Sequence, residues 1–321
     1  MSLRVLRAAP SALVQDLGRP GHAALGVTAS GPADRASAAA ALRAVGTDPR
    51  AALLEILLGG LVLMTDSPVI VAVTGARSVV VVVNPDGSRR TAATGDVLSL
   101  PAGGTLELGR PHVGTRIYLG VRGGIDVPGV LGSRSRDTLA ALGPPPLAAG
   151  DVLDVGDAVV GPWADGWQAA VGGVSAGWTG GGVGGVTGGW IDVGVGAGRG
   201  TGAAPEPVEL DVIPGPRDDL FPPEAWDVLA QTAHVSGHAD RVGVRLDPAR
   251  PVPRLRSDEI PSEGMVRGAV QIPTDGSPVI FGPDHPVTGG YPVIGVLTSR
   301  SADAVSQLLP GTPVRLRRVC D

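Results

Sequence analysis

The 321-residue chain contains no lysine, so all 26 of its basic residues are arginine. That absence excludes a phosphate-loop lysine, a Schiff-base lysine and any lysine able to carry covalently attached biotin or lipoate. Nucleotide or carrier chemistry would have to arrive on a partner. Cysteine is nearly absent too: Cys320 stands alone, which excludes an intrachain disulfide and a cysteine-rich zinc site. Aromatic residues are only 3%, whereas Gly 50 and Pro 30 together make about a quarter of the chain, so turns must be frequent and long helices few.

Long apolar runs are missing as well. The most apolar stretch, 51–73, is interrupted by Glu55, Gly59, Gly60, Asp66 and Pro68, short of the roughly 18 uninterrupted residues a membrane helix needs. The first dozen residues carry Arg4 and Arg7 and have no clean apolar region, so a cytoplasmic location is expected. The net charge of -5, with arginines scattered along the chain, argues against a nucleic-acid surface.

Short apolar segments bounded by turn residues predict strands near 53–58, 69–74, 78–83, 97–100 and 116–121. The five consecutive valines Val79 to Val83 predict a strand buried on both faces, followed by a hairpin turn at Asn84-Pro85-Asp86-Gly87. A second set begins at 208–213 and continues at 241–246, 269–272, 278–281, 293–297 and 314–319. Helices are few. Ser30 followed by Pro32 and an alanine-rich stretch predicts one ending at Gly46; others are expected at 222–231 and, with Ser301 as cap, at 301–309. Between 161 and 207 glycine dominates, yet Trp163, Trp167, Trp178 and Trp190 also fall there, more apolar surface than a simple tether needs. The expected division is 1–204, including that Gly/Trp-rich segment, and 205–321.

Four polar segments rich in glycine and proline are candidates for chemistry, because turns at strand ends are where β folds keep their binding groups. Gln15 to His22 offers Asp16 and Arg19, which could bind a substrate or simply brace a turn. Arg122 to Thr138 is rich in hydroxyls and arginine, including Arg134, a pattern suited to planar anions. Pro214 to Asp219 contains Arg217 beside two carboxylates. The densest is Pro261 to Gly268 with Gly282 to Pro292, which contains Ser262, Glu263, Asp284, His285, Thr288 and Tyr291. Histidine titrates near neutrality and a carboxylate can orient it, although neighbours on an extended strand point to opposite sides. His234 and His238 would share a face on a helix, but the intervening Val-Ser-Gly reads as strand or turn, and no metal is expected. The glycine-rich stretches lack the strand-then-helix context of a nucleotide loop.

Taken in order, several of these segments resemble the biotin-dependent carboxyltransferase family that includes the C-type subunit of 5-oxoprolinase, also labelled allophanate hydrolase subunit 2. They are VQDLGRPGH at 14–22, SGPADR at 30–35, LEILLGG at 54–60, YLGVRGGIDVPGVLGSRSRDT at 118–138, PGPRDD at 214–219, DRVGVRL at 240–246, PSEGMVRGAVQIP at 261–273 and DHPVTGGYPVIGV at 284–296. The resemblance implies a mainly β chain with two tandem cyclophilin-like β-barrel domains and a few short helices, related to the carboxyltransferase domain of urea carboxylase. It implies a component of an ATP-dependent 5-oxoprolinase that opens the lactam of 5-oxo-L-proline to glutamate together with A-type and B-type partner subunits. Two other activities are compatible with the resemblance: a carboxyltransferase component acting on urea or a similar amide, and a regulatory module antagonising a kinase inhibitor. ATP would be handled with the partners, and biotin would enter only if a partner carried it. A site of this kind needs a base and donors for an oxyanion. The expected catalytic residues are Glu263, Asp284, His285 and Tyr291, and the expected substrate-binding residues are Asp16, Arg19, Arg134, Arg217, Ser262 and Thr288. The chain departs from the family pattern at Leu42 and Thr47, in place of amides, and at Val293, in place of a lysine after Tyr-Pro.

Overall fold

The computed structural model describes residues 1–164, 206–256 and 258–319. The expected boundary at 204/205, the tryptophans at 167, 178 and 190, and Cys320 lie outside the described residues. The chain is mainly β with a few short helices, as its turn-rich composition requires. No helix among the described residues is long and apolar enough to cross a membrane.

Two compact units are present, and neither is one continuous stretch. The described residues of the first are 1–18, 35–136 and 143–164; those of the second are 19–34, 137–142 and 206–319. Two short segments from the first half of the sequence therefore pack with the second unit. Nothing in their periodicity announces this, because it depends on polar partners more than a hundred residues away.

The first unit contains a seven-stranded and a five-stranded sheet, both antiparallel. In the five-stranded sheet the order is Ser11–Gln15, Leu53–Leu57, Val113–Val121, Val69–Arg77 and Val97–Leu100. Alternate residues of both sheets (Leu3, Val5, Val80, Val82, Leu106 and Leu108 with Leu54, Ile56, Val71, Val73, Ile117 and Leu119) form one buried core. The valine run departs from expectation: Val80 and Val82 are buried, but Val79 is 52% exposed. Five identical side chains carry no alternation, so the sequence could not mark which face would stay open. The predicted turn does form, with Gly87 at φ 82° and the Asn84 N–H donating to Ser88 O at 2.8 Å.

Helix Arg35–Ala44 covers the other face of the five-stranded sheet, packing Ala38, Ala41 and Leu42 on Leu53 and Tyr118. It approaches so closely that a Cβ on Gly120 would lie 2.7 Å from the Ala41 carbonyl, hence glycine there. Beneath this helix the Tyr118 hydroxyl donates to Glu55 at 2.9 Å across paired strands, and Arg116 lies 3.5 Å from the same carboxylate. The helix begins five residues after Ser30, which is not its cap: Ser30 stands at φ 57° and its hydroxyl is drawn elsewhere. Leu42 fills the helix–sheet contact, and Thr47 accepts from the Gly123 N–H at 3.0 Å, so the one packs and the other braces a turn.

The second unit is a closed seven-stranded barrel. Its order is Val208–Pro214, Val293–Leu297, Ala269–Gln271, Val279–Phe281, Gly243–Asp247, Ala233–Ala239 and Pro313–Arg318, and the parallel pairing of the first strand with the last closes it. Leu210, Val212, Leu246, Val270, Ile280, Ile294 and Leu316 fill the interior. Helices Glu224–Leu229 and Ser299–Val305 pack on it through Ala225, Val228, Leu229, Ala302 and Val305. Thr298, not Ser301, caps the latter helix by accepting from the Ser301 N–H at 3.3 Å. His234 and His238 lie on a strand, as their spacing residues suggested.

Candidate active site

The candidate residues of the second unit are arranged around a two-stranded ribbon, in which Glu263 pairs with Gly289 and Gly264 with Thr288. The Met265 N–H donates to Val287 O at 2.9 Å and the Ile260 N–H to Gly290 O at 2.9 Å, so 260–265 runs beside 287–290. This antiparallel pairing brings the Pro-Ser-Glu-Gly and Val-Thr-Gly-Gly-Tyr motifs together. Ser262 and Thr288 are exposed on it.

Asp284 is fully buried and saturated with donors. One oxygen accepts from the Ser30 hydroxyl at 2.6 Å and Arg241 Nη2 at 3.0 Å. The other accepts from the Thr138 N–H at 2.8 Å, the Thr138 hydroxyl at 2.7 Å and Arg241 Nε at 2.8 Å. Arg241 is itself buried and also donates to Gly31 O at 2.7 Å. Burial opposes ionisation of Asp284, but the Arg241 guanidinium and these hydrogen bonds outweigh it, so the carboxyl lies below its ordinary range. The carboxylate thereby ties the 30–31 turn and the 137–138 turn to the barrel. Gly282 allows the close approach this needs, since a Cβ there would lie 2.2 Å from Arg241 O. Arg241 was not singled out from sequence. It sits in the Asp-Arg-Val-Gly-Val-Arg-Leu motif, but a lone arginine ahead of a strand gives no sign of a buried partner 43 residues on.

The Asp-His pairing considered from sequence does not form, because the Asp284 acceptors are taken up by Ser30, Thr138 and Arg241. Extended backbone sends adjacent side chains apart. His285 stacks on Phe281 with ring centroids 5.9 Å apart, and its Nδ1 lies 2.8 Å from Pro286 O. A carbonyl can only accept, so Nδ1 carries the hydrogen and neutral His285 presents Nε2 as an acceptor. Burial lowers its pKa, against the opposing pull of the Pro286 carbonyl and the charges of Asp284 and Asp137. The ring is therefore neutral at pH 7. Val293 packs with Met265, Ala269 and Phe281, so its surroundings are apolar.

Glu263 is held by Arg217, which donates to the same carboxylate oxygen from Nε at 2.8 Å and from Nη2. That hydrogen bond keeps Glu263 below its ordinary pKa and raises Arg217. Tyr291 is shifted upward by its hydrogen bond to Glu259 and stays protonated. Its ring faces the Arg254 guanidinium, with Cζ 5.9 Å from the ring centroid. Arg19 is buried, and its N–H donates to Ala29 O at 2.7 Å.

The two remaining candidates belong to the first unit. The Asp16 carboxylate accepts from the Gly18 N–H at 2.9 Å, the Ser133 hydroxyl at 2.5 Å, the Arg134 N–H at 2.6 Å and the Ser135 hydroxyl at 2.7 Å. These bonds make it a brace for the 133–135 turn. Arg134 turns back on its own loop, donating to Val127 O and Asp126, each at 2.8 Å. The hydroxyl-rich pattern that suggested an anion site thus has an internal use: its serines bind Asp16.

A family model for the carboxyltransferase domain, subdomains A and B, matches residues 25–318. The chain is 30% identical over 316 residues to the C-type subunit of 5-oxoprolinase from Escherichia coli (strain K12), covering 97% of this chain and 89% of that one. It is 37% identical over 145 residues to the urea amidolyase of Saccharomyces cerevisiae, covering 45% of this chain but 8% of that protein. Among solved structures it is similar to the urea amidolyase of K. lactis, with a TM-score of 0.79 and 26% identity over 99% of this chain and 19% of that one. The chain thus spans about a fifth of that enzyme.

Proposed function

This chain belongs to the carboxyltransferase family of subdomains A and B, and from that premise we propose that it is the C-type component of a multi-subunit, ATP-dependent 5-oxoprolinase. The observation that carries this reading is the nearly end-to-end match with a C-type 5-oxoprolinase component, on both chains. The urea amidolyases contain a comparable portion within much longer proteins. A chain without lysine or a phosphate loop is poorly equipped to handle ATP alone, and we assign that work to A-type and B-type partners.

In this reading His285 is the proton acceptor. Its Nδ1–H is fixed on Pro286 O, Nε2 is left with a lone pair, and burial keeps the ring unprotonated at neutral pH. Arg217 engages Glu263 through Nε and Nη2, and its Nη1 is the donor assigned to the carbonyl oxygen as charge develops there. Glu263 orients that guanidinium. Asp284 acts at one remove, since its five hydrogen bonds fix the backbone from which His285 projects. Ser262 and Thr288 supply exposed hydroxyls to the amide.

The test is reconstitution. The purified chain alone should neither hydrolyse ATP nor open 5-oxo-L-proline, and co-expression with both partner types should give ATP-dependent glutamate release. Absence of glutamate from the complete set refutes the reading. A second reading, a carboxyltransferase component for urea or a related amide, is favoured by the higher local identity to urea amidolyase. It requires bicarbonate and a biotin-bearing partner, so inhibition by avidin would select it.

A further inference from the structure

We propose that the outer edge of the ribbon, at Ser262 and Gly264, is where the B-type partner adds an extended strand carrying a large apolar side chain opposite Gly264; that the partner is of the B type rests on the reading above. In the antiparallel pairing of 263–265 with 287–289, the Met265 N–H donates to Val287 O, so Met265 and Glu263 direct their backbone groups at the neighbouring strand. Alternation sends the N–H and C=O of Gly264, and of Ser262 before it, to the opposite side. Both residues are exposed there, and no described residue bonds to those groups. Unmet donors and acceptors along an edge are a template for another strand.

The outward face of the ribbon fits one kind of strand. Its inner face rests on the barrel: Met265 is buried with Ala269 and Phe281, and a Cβ on Gly289 would lie 2.6 Å from Gln271 Nε2. Gly264 and its cross-strand neighbour Thr288 therefore look outward. Nothing lies within 4 Å of where a Gly264 Cβ would stand, and Val266, two residues along, is 52% exposed. An edge glycine leaves its backbone bare, and a large apolar side chain on the adjoining strand covers it. The edge is electrically neutral as well, since Glu263 is the one charged residue of 260–266 and Arg217 holds it.

Strand Arg89–Ala93 shows the contrasting case of a guarded edge. It is last in the seven-stranded sheet, and its register, with the Asn84 N–H on Ser88 O and the Thr94 N–H on Ser78 O, turns the backbone of Arg89 and Thr91 outward. Arg89 and Arg90 stand exposed on it, and charged side chains are a device by which edge strands repel a further strand. The ribbon edge has no such guard. A second copy of this chain is a poorer occupant than a partner, because the same edge offers serine and glycine on its outward face, and neither covers Gly264.

The experiment is amide hydrogen exchange and calorimetric titration on the full chain with its B-type partner. On binding, exchange at Ser262 and Gly264 should slow, while Arg89 and Thr91 exchange as fast as in the free chain. Gly264→Asp puts a charge where the apolar side chain would sit and should weaken the partner about 10- to 100-fold. Its own Cβ meets open space, so the unfolding midpoint in guanidinium chloride should stay within about 0.2 M of wild type. Arg90→Glu should leave the affinity unchanged. A complex in which Ser262 and Gly264 are unprotected, full affinity in Gly264→Asp, or no binding of the B-type partner overturns the docking edge. So does a dimer of the chain alone that Gly264→Asp abolishes, which would make the edge a seam between copies. An assembly that releases glutamate from 5-oxo-L-proline with the edge unprotected would refute the docking edge and sustain the proposed activity. A protected edge in an assembly that releases none would do the reverse.

Discussion

Replacing Asp284 by asparagine tests how firmly the Asp284–Arg241 pair holds the second unit together. The carboxylate has no solvent exposure, the arginine side chain is 6% exposed, and two charged hydrogen bonds join them at 2.8 and 3.0 Å. Removing one charge of such a pair leaves the other buried and unpaired, at a cost of about 3–5 kcal/mol. With a guanidinium-chloride dependence of about 2–6 kcal/mol per M, a loss near 4 kcal/mol moves the unfolding midpoint of the unit down by roughly 1 M. Amide exchange in strands Ala269–Gln271 and Val293–Leu297 should accelerate in step. Asp284→Asn with Arg241→Met should recover part of the loss, since the orphaned charge is gone. The pH dependence has a defined sign. Because folding lowers the Asp284 pKa, its stabilisation is fully present above the unfolded value of about 4 and is lost as pH falls through the lower folded value. The asparagine variant should therefore lack that acid-limb component. A midpoint within about 0.2 M of wild type, or a double variant no more stable than Asp284→Asn, would refute the reasoning.

The other predictions concern smaller perturbations. His285 has a lowered pKa in the folded state, so below about pH 6.5 the unfolded chain binds the extra proton first and stability falls as pH drops toward the folded pKa; His285→Gln should remove that component from a pH series of thermal melts. Tyr118→Phe deletes the hydroxyl donor to buried Glu55 and should cost about 1–3 kcal/mol by denaturant titration, while a change under about 0.5 kcal/mol would show the contact to be idle. Gly120→Ala forces the added carbon against the Ala41 carbonyl and should lower stability by at least about 1–3 kcal/mol, measured in the same way; an unchanged midpoint would contradict the close packing.

Strands with polar or turn boundaries were legible in the sequence, and so was the Asn-Pro-Asp-Gly hairpin, because local φ requirements and side-chain period fix them. The open face of Val79–Val83 was not, since a homopolymeric run contains no alternation. Ser30 looked like a helix cap because serine is a good one; its hydroxyl instead serves a carboxylate 254 residues away. The two halves of the densest polar segment pair in one ribbon, Glu263 with Gly289 and Gly264 with Thr288. Within it, neighbouring sequence positions misled: Asp284 and His285 have separate partners, whereas Asp284 and Arg241 are joined.

The most direct test of the proposed chemistry is the rate of ATP-dependent glutamate release from 5-oxo-L-proline by the reconstituted assembly containing His285→Gln. Loss of a positioned base predicts a kcat lower by about 10²- to 10⁴-fold with KM little changed, in a variant that still assembles with its partners. Glutamate release at the wild-type rate would contradict the assignment of His285 as the proton acceptor.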